Sequence, residues 1–126
     1  ERKLLNFGHT VGHAIESYSL LNDEVPLLHG ESVAIGMICE AYISTKITGL
    51  TQKELDEIAQ TILSFYPKYN IESTNYHFYI QLMKQDKKNE KNNINCTLLE
   101  NIGVGVIDGE VEVEMIVDAL NYYAEL

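Results

Sequence analysis

Asn6-Phe7-Gly8-His9-Thr10-Val11-Gly12-His13-Ala14-Ile15-Glu16, followed after a short break by Leu28-His29-Gly30-Glu31, decides how this chain is read. Three of its four histidines fall between positions 9 and 29. His9 and His13 are four apart, so a helix puts them one turn from each other on a single face, with Cβ atoms about 6 Å apart. Gly8, Gly12 and Gly30 remove side-chain bulk beside the histidines. Glycine inside a helix costs about 1 kcal/mol against alanine. A helix that carries Gly8 and Gly12 so close together is therefore expected to have something approach its backbone.

Outward from this stretch the pattern is mostly helical. The first helix is expected from Asn6 to Ser19, with Asn6 as N-cap, and it breaks at Asn22-Asp23-Glu24-Val25-Pro26, which leaves His29 at the mouth of the next helix. That second helix, Gly30 to Thr48, carries Val33, Ala34, Met37, Ile38, Ala41 and Tyr42 at helical spacing and stops at Gly49. It reads as deeply buried. Thr51-Gln52-Lys53-Glu54 is a capping box, opening a helix with Leu55, Ile58, Ala59 and Ile62 on one stripe and Pro67 at its end. A fourth helix, about Thr74 to Gln85, is expected to turn Phe78, Leu82 and Met83 inward and to deliver Asp86-Lys87-Lys88 at its C-terminal end, where lysines suit the helix dipole.

Residues 94–107 alternate differently: Ile94, Cys96 and Leu98, then Val104 and Val106, separated by Glu100-Asn101-Ile102-Gly103, which is a hairpin signal. After Asp108-Gly109 a last helix is expected over 113–123, with Val113, Ile116, Leu120 and Tyr123 on one face. The fold class that results is mainly α: a helical bundle of about five helices with one small β-hairpin, in a single domain over residues 1–126.

Composition bounds the function. The chain has 126 residues, 45% of them hydrophobic, enough for one core. It contains no apolar run of membrane-spanning length and no signal-peptide pattern, so no membrane partner and a cytoplasmic location are expected. Cys39 and Cys96 lack zinc-knuckle spacing and read as two reduced, buried thiols. Since the chain opens at Glu1 against its richest motif, the expectation is a fragment whose N-terminal partner lies outside it. A net charge of −10 argues against nucleic acid. Yet Lys84, Lys87, Lys88 and Lys91, four of the nine basic residues, cluster around Asp86. From composition alone a local anion site and a solvated charged loop both stay open.

Neutral imidazole is the commonest metal ligand, and a catalytic zinc site needs three protein ligands and one open position. On spacing alone, metal or substrate binding by His9, His13 and His29 and mere packing of these side chains remain open alternatives, because the general base of an HEXXH context is absent. His77, alone on the fourth helix, reads as a surface or partly buried histidine. Glu31 has two readings, a second acceptor that fixes an imidazole tautomer or a solvent-facing carboxylate at a helix N-terminus.

Three motifs in order resemble the C-terminal domain of the 3-dehydroquinate synthase family: residues 2–16, from Arg2-Lys3-Leu4-Leu5 through Glu16; Leu28-His29-Gly30-Glu31-Ser32-Val33-Ala34-Ile35-Gly36-Met37; and Asp86-Lys87-Lys88-Asn89. They span most of the chain, while residues 17–27 and 49–85 carry no signature. The resemblance implies an NAD-dependent, metal-dependent lyase of the shikimate pathway that converts 3-deoxy-D-arabino-heptulosonate 7-phosphate to 3-dehydroquinate and phosphate. By motif, His9 and His29 match metal ligands, for zinc or cobalt, and the third ligand is a glutamate N-terminal to this chain. Arg2 matches a residue binding the substrate carboxylate. Asn6, His13 and Lys87 match residues at the phosphate end, with His13 and Lys87 in catalytic roles. The resemblance further implies a homodimer when full length.

The pattern departs from a complete enzyme in one respect. No G-x-G-x-x-G occurs, and Gly103, Gly105 and Gly109 have neither its spacing nor its strand-to-helix context. NAD binding is therefore expected in an N-terminal domain absent from this chain. The segment 17–28 looks longer than the shortest family versions, which leaves the approach of His29 to His9 to the tertiary structure. Two other readings remain open: another sugar phosphate cyclase of the same superfamily, and an inactive metal-binding or self-associating helical module.

Overall fold

The computed structural model describes residues 6–86, 93–102 and 105–126. Among these residues the chain forms α1 (His9–Asn22), α2 (His29–Ile47), α3 (Gln52–Phe65), a 3-10 turn (Ser73–Asn75), α4 (Tyr76–Asp86), β1 (Asn93–Asn101), β2 (Gly105–Glu112) and α5 (Val113–Ala124). The mainly helical bundle with one antiparallel hairpin is as the periodicity requires.

α2 is the central post. It packs against α1, α3, α5 and β1, so nearly every residue from Ser32 to Ser44 is buried. A helix surrounded on several sides cannot be amphipathic, and its apolar run has that cause. The core gathers Val11 and Ile15 of α1, Ile38 of α2, Ile94 of β1 and Ile116 and Leu120 of α5, each with no exposed surface.

α1 begins three residues later than expected, and Asn6 does not cap it. A turn over residues 6–8 leads in, with Gly8 in the left-handed region at φ 85° and the His9 N–H donating to the Asn6 carbonyl at 3.0 Å. The acceptor at this helix end comes from another helix. The fully buried Glu40 of α2 accepts from the Gly8 N–H at 2.8 Å and the Val11 N–H at 3.0 Å. Amides that an isolated helix would leave unpaired thus meet a carboxylate, which the positive end of the helix dipole also favours.

The close approach anticipated from the glycines exists, and its other member is a helix backbone. A Cβ on Gly12 would lie 2.8 Å from the Ser32 carbonyl, and one on Gly36 would lie 1.9 Å from that of Gly8. Gly30 plays no such part, since only the Tyr66 hydroxyl, at 3.6 Å, lies near its missing Cβ.

The remaining elements follow their local signals with two corrections. The capping box of α3 is complete: Thr51 Oγ1 accepts from the Glu54 N–H at 3.1 Å, and the Glu54 carboxylate accepts from the Thr51 N–H at 2.9 Å. On α4 the buried residues are Tyr76, Tyr79 and Met83, whereas Phe78 is exposed. Tyrosine wins the inward face because its ring packs while its hydroxyl finds a partner, as Tyr76 does by donating to Asn121 Oδ1 at 2.9 Å. Nor does Asp108-Gly109 end the hairpin. Both residues lie within β2, opposite Thr97 and Cys96. The bare Gly109 leaves room for Leu98, whose Cδ1 would stand 3.1 Å from a Cβ there, so ladder pairing overrides the turn signal.

Candidate metal centre

Because the backbones of α1 and α2 nearly touch at Gly8, Gly12 and Gly36, side chains flanking that crossing converge. His9 and His13 stand one turn apart on α1, and His29 is the first residue of α2. Their ring centroids lie 5.0 Å (His9–His13), 5.5 Å (His9–His29) and 5.7 Å (His13–His29) apart. One nitrogen from each falls within 4.8 Å of the others. Among the described residues this is the group of three side chains able to hold a metal ion.

Tetrahedral zinc with Zn–N bonds of about 2.0–2.1 Å separates its ligand nitrogens by about 3.4 Å. The three imidazoles would have to close by little more than an ångström, within the reach of side-chain rotation. His9 and His29 each set Nδ1 against an oxygen. His29 Nδ1 lies 3.0 Å from Glu16 Oε1, and His9 Nδ1 lies 3.3 Å from the Phe7 carbonyl oxygen. Both partners only accept, so in the neutral ring Nδ1 is the protonated nitrogen and Nε2 the one left for a ligand. A metal-binding histidine commonly donates its other N–H in this way. His9 and His13 are half-buried while His29 is exposed, so the cluster opens to solvent on the α2 side. The donor set therefore fits a divalent metal ion.

Glu16 was missed in the reading by motif, although the signal was present: it lies seven residues after His9 and three after His13, on the same stripe of α1. Glu31 takes the other of its two readings, its carboxylate accepting from the Leu28 N–H at 2.8 Å at the start of α2. Glu40 was also overlooked, and its signal is a single acid inside the apolar run 37–41. That carboxylate and burial together hold the neighbouring Cys39 thiol well above its ordinary range, burial being the larger cause.

Of the other expected site residues, Asn6 is among the described ones. Asn6 lines a polar cavity of about 300 Å³ with Asn95, Thr97, Asp108 and Glu110. Arg2 and Lys87, like Lys88 and Lys91, lie outside the described residues. His77 is exposed on α4, with its ring 4.0 Å from that of Phe78.

Comparison with known proteins points one way. The family profile described as 3-dehydroquinate synthase C-terminal matches residues 1–89. The 3-dehydroquinate synthase of Parabacteroides distasonis is 44% identical over 124 residues, covering 98% of this chain and 35% of that protein. That of Halorhodospira halophila is 36% identical over 120 residues, covering 95% of this chain and 33% of that protein. The chain thus spans about a third of the length of these curated relatives. In structure it resembles 2-deoxy-scyllo-inosose synthase complexed with carbaglucose-6-phosphate, NAD+ and Co2+, with a TM-score of 0.71 at 22% identity over 93% of this chain and 34% of that one. At that identity the likeness establishes the fold.

Proposed function

The chain belongs to the 3-dehydroquinate synthase C-terminal family, and from that premise we propose that it is the metal- and substrate-binding part of a longer, NAD-dependent enzyme converting 3-deoxy-D-arabino-heptulosonate 7-phosphate to 3-dehydroquinate and phosphate. The observation that carries this reading is the cluster of His9, His13 and His29, with the Nδ1 atoms of His9 and His29 committed to oxygen acceptors. His9 and His29 hold the divalent ion, zinc or cobalt, with a glutamate from the N-terminal part of the protein as third ligand. Bound there, such an ion supplies Lewis-acid polarisation of a substrate hydroxyl.

His13 faces the substrate. From its place beside the metal ligands it donates a hydrogen bond to a phosphate oxygen, and Lys87 adds a charge-assisted one. Asn6 contributes a neutral donor at the phosphate end, and Arg2 takes the substrate carboxylate in a bidentate pair. NAD is bound mainly by the N-terminal domain, and the full-length protein is a cytoplasmic homodimer. No described helix is long and apolar enough to cross a membrane.

The two-role assignment is tested by comparing His9→Ala and His13→Ala in the full-length protein. Metal content is measured by mass spectrometry and turnover is followed with and without added Zn2+. His9→Ala should lose metal and activity together, whereas His13→Ala should keep its metal and lose turnover that zinc does not restore. Loss of metal from His13→Ala as complete as from His9→Ala would make His13 a ligand and overturn the assignment.

A further inference from the structure

His13 and His29 are joined by the rest of α1 and the loop over residues 23–28. The loop is exposed over much of its length, Val25 being 88% exposed, and no regular element fixes it. It is instead tied from one side by side chains. Ser19 Oγ, fully buried, accepts from the Leu27 N–H at 2.8 Å and donates to Asp23 Oδ2 at 2.7 Å. The same Asp23 oxygen accepts from the Tyr69 hydroxyl at 2.6 Å. Tyr69 belongs to the connection between α3 and the 3-10 turn, and its own N–H donates to the Tyr123 hydroxyl of α5 at 2.8 Å. A continuous run of hydrogen bonds therefore leads from α5, through Tyr69, Asp23 and Ser19, to Leu27, two residues before His29.

We infer that Tyr69, Asp23 and Ser19 are positioning residues for the metal centre, a strap that sets how closely His29 approaches His9 and His13. The inference rests on the metal-binding role given to His9 and His29 above. Its physical basis is the shortness of the segment between Leu27 and His29. Leu28, the one residue between them, is the N-cap of α2, so pinning Leu27 fixes how the chain enters the helix that His29 begins. With Leu27 released, the first turn of α2 is held only by its own capping bonds, and the His29 imidazole samples positions from which it cannot share an ion with His9. The paired hydroxyls orient the Asp23 carboxylate, and in the same arrangement the Tyr69 phenol is held above its ordinary range, first by burial and then by its bond to Asp23.

The test measures Zn2+ affinity of the metal-stripped full-length protein by competition with a chromophoric chelator, at a temperature where every variant is folded by circular dichroism. Tyr69→Phe and Asp23→Ala should weaken Zn2+ binding by about tenfold, the lower end of the effect seen when outer partners of ligands are removed. Asp23→Asn keeps a carbonyl oxygen for both hydroxyls and should stay within about threefold of the parent. Tyr76→Phe is the control, since it also deletes one phenol hydrogen bond, to Asn121, away from the loop; it should leave the affinity unchanged. Parent-like binding by Tyr69→Phe, or equal weakening by Tyr76→Phe, overturns the strap. Zn2+ binding indifferent to His29→Ala would instead overturn the metal reading itself, so the two failures are distinct.

Discussion

Replacing Gly36 with alanine puts a methyl carbon 1.9 Å from the Gly8 carbonyl oxygen and 2.7 Å from the Gly12 amide nitrogen. Both obstacles are backbone, so no rotamer change relieves them, and α1 must retreat by about 1.5 Å before the contact reaches an ordinary 3.4 Å. That retreat takes the Gly8 and Val11 amides out of reach of Glu40, now 2.8 and 3.0 Å away. Overpacking costs about 1–3 kcal/mol, and hydrogen bonds to a buried carboxylate are worth about 1.5–3 kcal/mol each. With partial relaxation the expected loss is about 3–5 kcal/mol, a large part of the roughly 5–15 kcal/mol of a typical domain. Urea unfolding followed by circular dichroism measures it. Gly30→Ala, on the same helix with only an ordinary contact to the Tyr66 hydroxyl at 3.6 Å, should be neutral or stabilising by up to about 1 kcal/mol. Gly49→Ala has room but a φ of 87° and should lose about 1–2 kcal/mol. A Gly36→Ala protein within about 0.5 kcal/mol of the parent would refute the crossing geometry on which the histidine cluster depends.

Three further outcomes are expected. Glu16→Ala should weaken Zn2+ binding by about 10- to 100-fold in calorimetric titration, since it frees the His29 imidazole to change tautomer. The Glu54 carboxyl is held below its usual range, first by the Thr51 amide and then by that of Ile102. A lowered folded-state value means that its contribution is complete above the ordinary carboxylate range and is lost as pH falls through the lowered value. The protection of the first-turn amides of α3 against exchange, taken relative to the intrinsic rate at each pH, should therefore fall on acidification, and less so in Glu54→Gln. The Cys39 thiol, buried and shifted upward, should resist alkylation by iodoacetamide at pH 8 in the native protein and react only on unfolding.

Sequence periodicity alone determined the five helices, the hairpin and the capping box at Thr51 and Glu54, because each depends on residues a few positions apart whose geometry is that of a single element. The pairing of His9 and His13 was legible for the same reason. The motifs also gave the family, which local structure could not have done. What the tertiary structure decided lies where distant segments meet. That Gly36 is the residue against which Gly8 fits, that Glu40 caps a helix it does not belong to, and that Glu16 rather than Glu31 orients His29 all depend on how α1 crosses α2. No short-range pattern records that crossing. Phe78 faced outward because the inward side of α4 is taken by Tyr79 and by Tyr76, whose hydroxyl finds its partner, Asn121, on α5. Asp108-Gly109 stayed in a strand because the opposing strand supplied hydrogen bonds and a leucine needing space. The course of the loop before His29 belongs to the same class: it is bonded through Asp23 to Tyr69, forty residues beyond His29, since a loop without internal structure takes its shape from whatever it is bonded to.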